Sequence, residues 1–237
     1  MQNRRGLFAG MQSGRLSGFV PYKGTKDLPN AGRISRFIRN FVDMKVALCQ
    51  FSMEWEAAAR NLRRAEELVA QAGADLALLP EMFATGFVTE PWRTALPDEE
   101  ELLAWMRRTA RRYATALAGS AVVRSGDRFA NRFFFVRPAG GAERYDKRHL
   151  FSIGGEDAHF VAGRRRVVVE YGGLRFLPLV CYDLRFPVFA RNRGDYDMIL
   201  YVANWPTVRI SAWNALLRAR AVENQCYVAG VNRTGDD

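Results

Sequence analysis

From residue 44 onward the chain alternates between short apolar runs and longer amphipathic stretches. Residues 45–51 read as a strand. Residues 54–72 then place Ala58, Leu62, Ala65, Val69 and Ala72 at steps of four, three, four and three, which is one face of a helix. Gly73 supplies its stop, and residues 75–80 form a short apolar strand that ends at Glu81. A second helix is predicted over 99–112. Residues 115–123 and 128–137 flank Ser125-Gly126-Asp127 as a hairpin. Residues 166–171 and 174–180 are joined by Gly172-Gly173, a strong two-residue hairpin signal. A strand over 197–203, a helix over 211–225 burying Trp213, Leu216, Leu217 and Ala221, and a strand over 227–231 complete the pattern. Strands and helices alternate but hairpins intrude, so the fold class is α/β with mixed rather than purely parallel sheets. With 237 residues, 49% of them apolar, the chain has material for one core.

Residues 1–43 break the pattern. They scatter Gly, Arg, Ser and Asn without sustained periodicity and carry eight Lys or Arg against two Asp. An Arg-rich, acid-poor leader is one reading. The favoured one starts the protein at Met44, because Met44-Lys45-Val46-Ala47-Leu48 opens a strand directly and no long apolar stretch precedes it. At the other end, Gly235-Asp236-Asp237 follows a strand with no closing element, so the domain over 44–237 reads as C-terminally truncated.

The net charge of +10 would suit a nucleic-acid partner, but its distribution argues otherwise. Beyond residue 43 there are 27 basic and 23 acidic side chains with no evident basic stripe. No apolar run approaches a membrane span. Three cysteines make no disulfide framework, and Cys49 and Cys226 sit in apolar stretches where free cysteine is a small buried hydrophobe. The expected setting is therefore a reducing cytoplasm, with neither nucleic acid nor membrane as partner. Two histidines and three scattered cysteines offer no zinc spacing, and neither metal nor cofactor is implied.

Reactive groups stand where apparent strands stop. Glu81 ends Ala-Leu-Leu-Pro-Glu, Cys181 ends Leu-Arg-Phe-Leu-Pro-Leu-Val-Cys, and Lys147 lies in Tyr-Asp-Lys-Arg-His-Leu-Phe. Open α/β sheets place their sites at such points. A carboxylate, an ammonium and a thiol suffice for acyl transfer without histidine. Free cysteine, with a pKa near about 8.5, is mostly protonated at neutral pH and needs a base. Glu81 can be that base, and Lys147 can stabilise first the thiolate and then the oxyanion. The Tyr182 N–H, just after the nucleophile, supplies a second oxyanion donor.

Leu-Pro-Glu-Met-Phe-x-x-Gly-Phe, Tyr-Asp-Lys-Arg-His-Leu-Phe and Cys-Tyr-Asp-Leu-Arg-Phe-Pro resemble the three signature blocks of the nitrilase superfamily. The resemblance implies an α-β-β-α sandwich, a Glu81–Lys147–Cys181 triad, and a second glutamate, Glu156, that positions the lysine. Tyr201-Val-Ala-Asn-Trp-Pro206 and Leu217-Arg-Ala-Arg-Ala-Val-Glu-Asn-Gln225 are similar to the omega-amidase branch, which hydrolyses the terminal amide of 2-oxoglutaramate or 2-oxosuccinamate. It also implies a homodimer acting on a small-molecule amide.

Phe87 and Trp205 are candidates for the pocket lining, though Trp205 could equally fill the core. Asp183 and Arg185 read as a structural ion pair bracing the loop after the nucleophile, and Arg164-Arg165-Arg166 as a solvated strand entry. A distal substrate carboxylate needs a cation, for which Arg132, Arg148, Arg185 and Arg209 all qualify. Three other readings compete: N-carbamoyl amine or nitrile hydrolysis, a nucleic-acid-binding module built on the basic tail, and a catalytically inactive structural fragment.

Overall fold

A computed structural model describes residues 44–93 and 98–235, so the expectations for residues 1–43 and for the last two residues lie outside it. Strands β1 (Val46–Leu48), β2 (Leu76–Leu78) and β3 (Ala116–Ser125) run parallel, and β4 (Arg128–Val136) and β5 (Ala142–Asp146) extend the sheet antiparallel, in chain order. A second sheet has the order β6 (Val169–Tyr171), β7 (Leu174–Val180), β8 (Met198–Ala203), β9 (Tyr227–Asn232), with β6 antiparallel and the rest parallel. Both sheets are mixed, as the hairpins predicted. The helices are α1 (Ala58–Ala72), α2 (Glu99–Tyr113), the one-turn α3 (Glu156–His159) and α4 (Pro187–Ala190), and α5 (Ile210–Asn224).

The period-two geometry of strands sorts the layers. Leu76, Leu78, Ala116, Ala118, Phe133 and Phe135 share one core with Phe176, Leu179 and Leu200 of the second sheet. The alternate residues Ala77, Leu79, Leu117, Phe134 and Val136 pack instead on Ala65, Leu68 and Val69 of α1 and on Leu103, Met106 and Ala110 of α2. Helix α5 covers the outside of the second sheet through Trp213 and Leu217. It sits so close to Gly230 that a Cβ there would lie 2.7 Å from Leu217 Cδ1 and 3.0 Å from Trp213 Cζ2. The result is the α-β-β-α sandwich.

Four local departures have physical causes. Helix α1 starts at Ala58 rather than Glu54, because Glu56 turns left-handed (φ 62°) and the buried Asn61 side chain bonds both Glu54 N and Glu54 O. In α5, Arg220 is buried where Leu216 and Ala221 are half-covered, since its guanidinium donates twice to Leu184 O at 3.0 and 2.8 Å. Strand β6 begins at Val169 rather than Arg166. Arg166 is not a solvated entry residue: it pairs with Asp195 and donates to Phe189 O. Strand β5 escaped the pattern because Ala-Glu-Arg-Tyr-Asp is a polar edge strand whose one fully covered side chain is Tyr145. Among the described residues no helix is long and apolar enough to cross a membrane.

Candidate active site

The polypeptide delivers each reactive group just past a strand. Glu81 follows β2 by three residues and opens a turn in which Met82 has φ 47°. Lys147 comes directly after β5, its N–H bonded to Asn131 O at 2.9 Å. Cys181 comes directly after β7 as the first residue of the 3-10 turn Cys181–Arg185, with φ 44°. A left-handed non-glycine residue costs roughly 1–3 kcal/mol and persists only where its surroundings enforce it. Here the enforcement comes from Asp183, whose carboxylate accepts Val180 N at 3.0 Å and folds the turn back on the strand end. Glu156 opens α3 immediately after Gly155 (φ 78°).

The four groups form one buried cluster. Glu81, Lys147 and Glu156 are wholly inaccessible, and Cys181 is 9% exposed. Lys147 Nζ lies 2.9 Å from Glu81 Oε1 and 2.8 and 3.1 Å from the two Glu156 oxygens. Glu156 Oε2 also accepts Phe151 N at 2.7 Å, and Glu81 Oε2 accepts Asn204 N at 2.8 Å. Burial alone would pull the Lys147 ammonium down; the charges of Glu156 and Glu81 outweigh it and hold the pKa above the ordinary lysine range. The Cys181 thiol goes well up, first through burial, then through the Glu81 charge and a hydrogen bond to it, against the opposing pull of Lys147. The cluster thus sets a thiol that resists ionisation beside an acceptor carboxylate. That arrangement can form and hydrolyse an acyl-cysteine, with the carboxylate shuttling the proton.

The carbon-nitrogen hydrolase family model matches residues 45–237. The chain belongs to the carbon-nitrogen hydrolase family. It is 49% identical over 195 residues to an omega-amidase of Yersinia enterocolitica, covering 82% of this chain and 76% of that one. It is 31% identical over 199 residues to the 2-oxoglutaramate amidase of Bacillus subtilis strain 168, covering 81% and 77%. The crystal structure of a CN-hydrolase superfamily protein from Xanthomonas campestris, which carries an arsenic adduct in its active site, superposes with a TM-score of 0.78 at 44% identity over 81% of this chain and 76% of that one.

In this carbon-nitrogen hydrolase the cluster opens on a pocket of about 80 Å³ lined by Phe87, Lys147, Phe151, Cys181, Tyr182, Arg185, Asn204, Trp205, Pro206 and Arg209. The lining includes the three sequence candidates beyond the cluster. Phe87 presents its ring 5.8 Å from Lys147 Nζ, and Tyr182 packs edge-on to Phe151. Trp205 does both things expected of it as alternatives, lining the pocket and packing at a tilt against Trp213 in the core, ring centroids 5.4 Å apart. A wider cleft of about 610 Å³ along Arg191, Asn192, Glu223 and Gln225 has no nucleophile in its lining.

The Asp183–Arg185 ion pair does not form. Asp183 is buried and takes Tyr145 Oη at 2.8 Å and both the His149 N–H and Nδ1, at 2.9 and 2.8 Å. Arg185 is exposed and lies over the Trp205 ring at 5.0 Å. His149, stacked on Phe186 at 3.7 Å, braces the turn. Of the four candidate arginines, Arg132 is spent on Asp146 and Glu99, and Arg148 donates to Gly163 O; only Arg185 and Arg209 line the pocket. Asn131 and Asn204 went unnoticed in the sequence. Their one signal is a carboxamide inside an apolar strand or at its tip, which folding tolerates only with partners.

Proposed function

We propose that this chain hydrolyses the ω-amide of a short 2-oxo dicarboxylate, 2-oxoglutaramate or 2-oxosuccinamate, to the free acid and ammonia. The observation that carries the reading is the buried thiol–carboxylate–ammonium cluster opening on an aromatic pocket that also holds Arg185 and Arg209. The names of the relatives in Yersinia and Bacillus support the same substrate class.

The Cys181 sulfur attacks the amide carbon as its proton passes to Glu81. The charge on Lys147 and the Tyr182 N–H, in the first turn of a short helix where no intrahelical acceptor exists, stabilise the oxyanion. Glu81 returns the proton to nitrogen, the C–N bond breaks and ammonia leaves a thioester. Water attacks that thioester, giving a proton to Glu81, and the sulfur departs to regain it. Glu156 holds Lys147 in place through both of its oxygens. Arg185 or Arg209 receives the distal carboxylate, each held over a ring, at Trp205 and Phe151 respectively.

Replacing both arginines by methionine is expected to raise KM for 2-oxoglutaramate about tenfold or more while sparing an uncharged short amide, the loss of a charge-assisted contact. An equal loss on both substrates would put the carboxylate elsewhere. A homodimer in the cytoplasm belongs to the same proposal. Exposed Val188, Val208 and Val222, on or beside α4 and α5, support a face that a second copy covers, and a monomer by sedimentation would refute it.

A further inference from the structure

We infer that Asn131 is a positioning residue for this reaction: its single amide nitrogen fixes the two carboxylates of the site relative to each other, without adding charge. The inference rests on the cluster read above as catalytic, but not on the identity of the amide.

Asn131 lies within β4, one residue from the Arg132–Asp146 pair, and is wholly buried. Its Nδ2 donates to Glu81 Oε1 at 2.8 Å and to Glu156 Oε1 at 3.1 Å. Lys147 Nζ reaches the same two oxygens, at 2.9 and 3.1 Å. The two nitrogens and two oxygens therefore close a ring, in which lysine supplies charge and donors and asparagine supplies donors alone. The amide orientation follows from the chemistry. Turned over, it would set Oδ1 against two carboxylate oxygens. As it stands, Oδ1 is buried with no hydrogen-bond partner among the described residues, so the side chain gives up its own acceptor to serve both acids.

The arrangement matters because the two acids differ in duty. Glu156 grips Lys147, whereas Glu81 must take and return a proton twice in each turnover without swinging away. Two carboxylates meeting one ammonium carry a net negative charge, and like charges in a dry site drive each other apart or into protonation. A second cation in place of Asn131 would bind the acids but remove the basicity that Glu81 needs. A carboxyl group would add to the repulsion. A primary amide avoids both, and backbone bonding of Lys147 N to Asn131 O at 2.9 Å ties the ring to one piece of sheet.

The test uses Asn131→Asp, which is nearly isosteric, and Asn131→Ala and Asn131→Ser, which are smaller. Two readouts are taken on folded protein: steady-state kinetics on 2-oxoglutaramate, and the pH profile of Cys181 alkylation by iodoacetamide, with Cys181→Ala giving the background from Cys49 and Cys226. Alkylation needs no amide substrate, so it reports on Asn131 even if the substrate assignment fails. We expect kcat to fall about thirtyfold or more with KM within about threefold, the signature of a misplaced proton shuttle. We expect Asn131→Asp to move the alkylation profile upward by about one pH unit, since an added negative charge disfavours the thiolate. Asn131→Ser, which keeps one donor, should retain more activity than Asn131→Ala. Unchanged kcat and an unchanged alkylation profile in folded variants would overturn the inference. So would failure of all three variants, including the isosteric one, to fold, because that result would assign Asn131 to the scaffold alone.

Discussion

Burial pushes the thiols of Cys49 and Cys226 up to about 12, and it pushes Cys181 well up too, so ionisation does not distinguish Cys181 from the other two. What distinguishes it is company: Glu81 within hydrogen-bonding reach, Lys147 opposing the rise, and a left-handed backbone that turns the sulfur into the pocket. Two outcomes follow at this scale. Alkylation of Cys181 should not trace the titration of a free thiol near about pH 8.5, because burial and the Glu81 charge both push this thiol up; a simple inflection at that pH would contradict the picture. Glu81→Gln keeps the shape and loses the carboxylate proposed as the base, and kcat should fall by about 10²–10⁴-fold. A fall of less than about tenfold, measured as ammonia release, would move the proton shuttle to another group.

Among the elements, the turn Cys181–Arg185 does the most positioning, and Asp183 is its anchor. One carboxylate joins the end of β7 to Tyr145 in β5 and to His149, two residues beyond Lys147, so the segments carrying Cys181 and Lys147 are held through a single buried acid. Asp183→Ala should leave those donors unsatisfied and lower the unfolding free energy by about 3 kcal/mol, read by urea denaturation; a change within about 0.5 kcal/mol would mean that water replaces it without cost. This anchor also marks where sequence reading stopped. The strands carrying Glu81 and Cys181 were legible because each is an apolar run cut off by a polar group. The partnership of Asp183 was not, since residues two apart on a helical turn do not face each other, and the true partners lie 38 and 34 positions away. Strand β5 was hidden by its edge position, which leaves charged residues on both faces. Asn131 and Asn204 were hidden because a lone carboxamide in a strand carries no period, and its meaning comes only from what the fold sets opposite it. Phe87 and Tyr182, inside two of the signature-like blocks, and Trp205, inside Tyr201-Val-Ala-Asn-Trp-Pro206, could be picked from the sequence as candidates, and all three line the pocket.

At the scale of the whole molecule, the sandwich buries groups that must stay protonated. Cys49 and Cys181 are raised by burial first, as are Tyr145 and Tyr201 between the sheets. The folded state keeps protons that the unfolded chain releases above about pH 9 to 10, so stability falls as pH rises past that point. Each fully shifted group contributes about 1.4 kcal/mol per pH unit. Tm should decline steeply between about pH 9 and pH 11, and Cys49→Ala should flatten the decline; a Tm independent of pH over that range would mean these groups are open to solvent. The most direct measurement of the proposed reaction is ammonia release from 2-oxoglutaramate by the chain and by its Cys181→Ala variant, with glutamine and a carbamoyl amine as competing substrates. Turnover should prefer the oxo-amide and vanish with the thiol. Ammonia release that survives in Cys181→Ala, or a folded protein silent on all three substrates, would contradict the proposal.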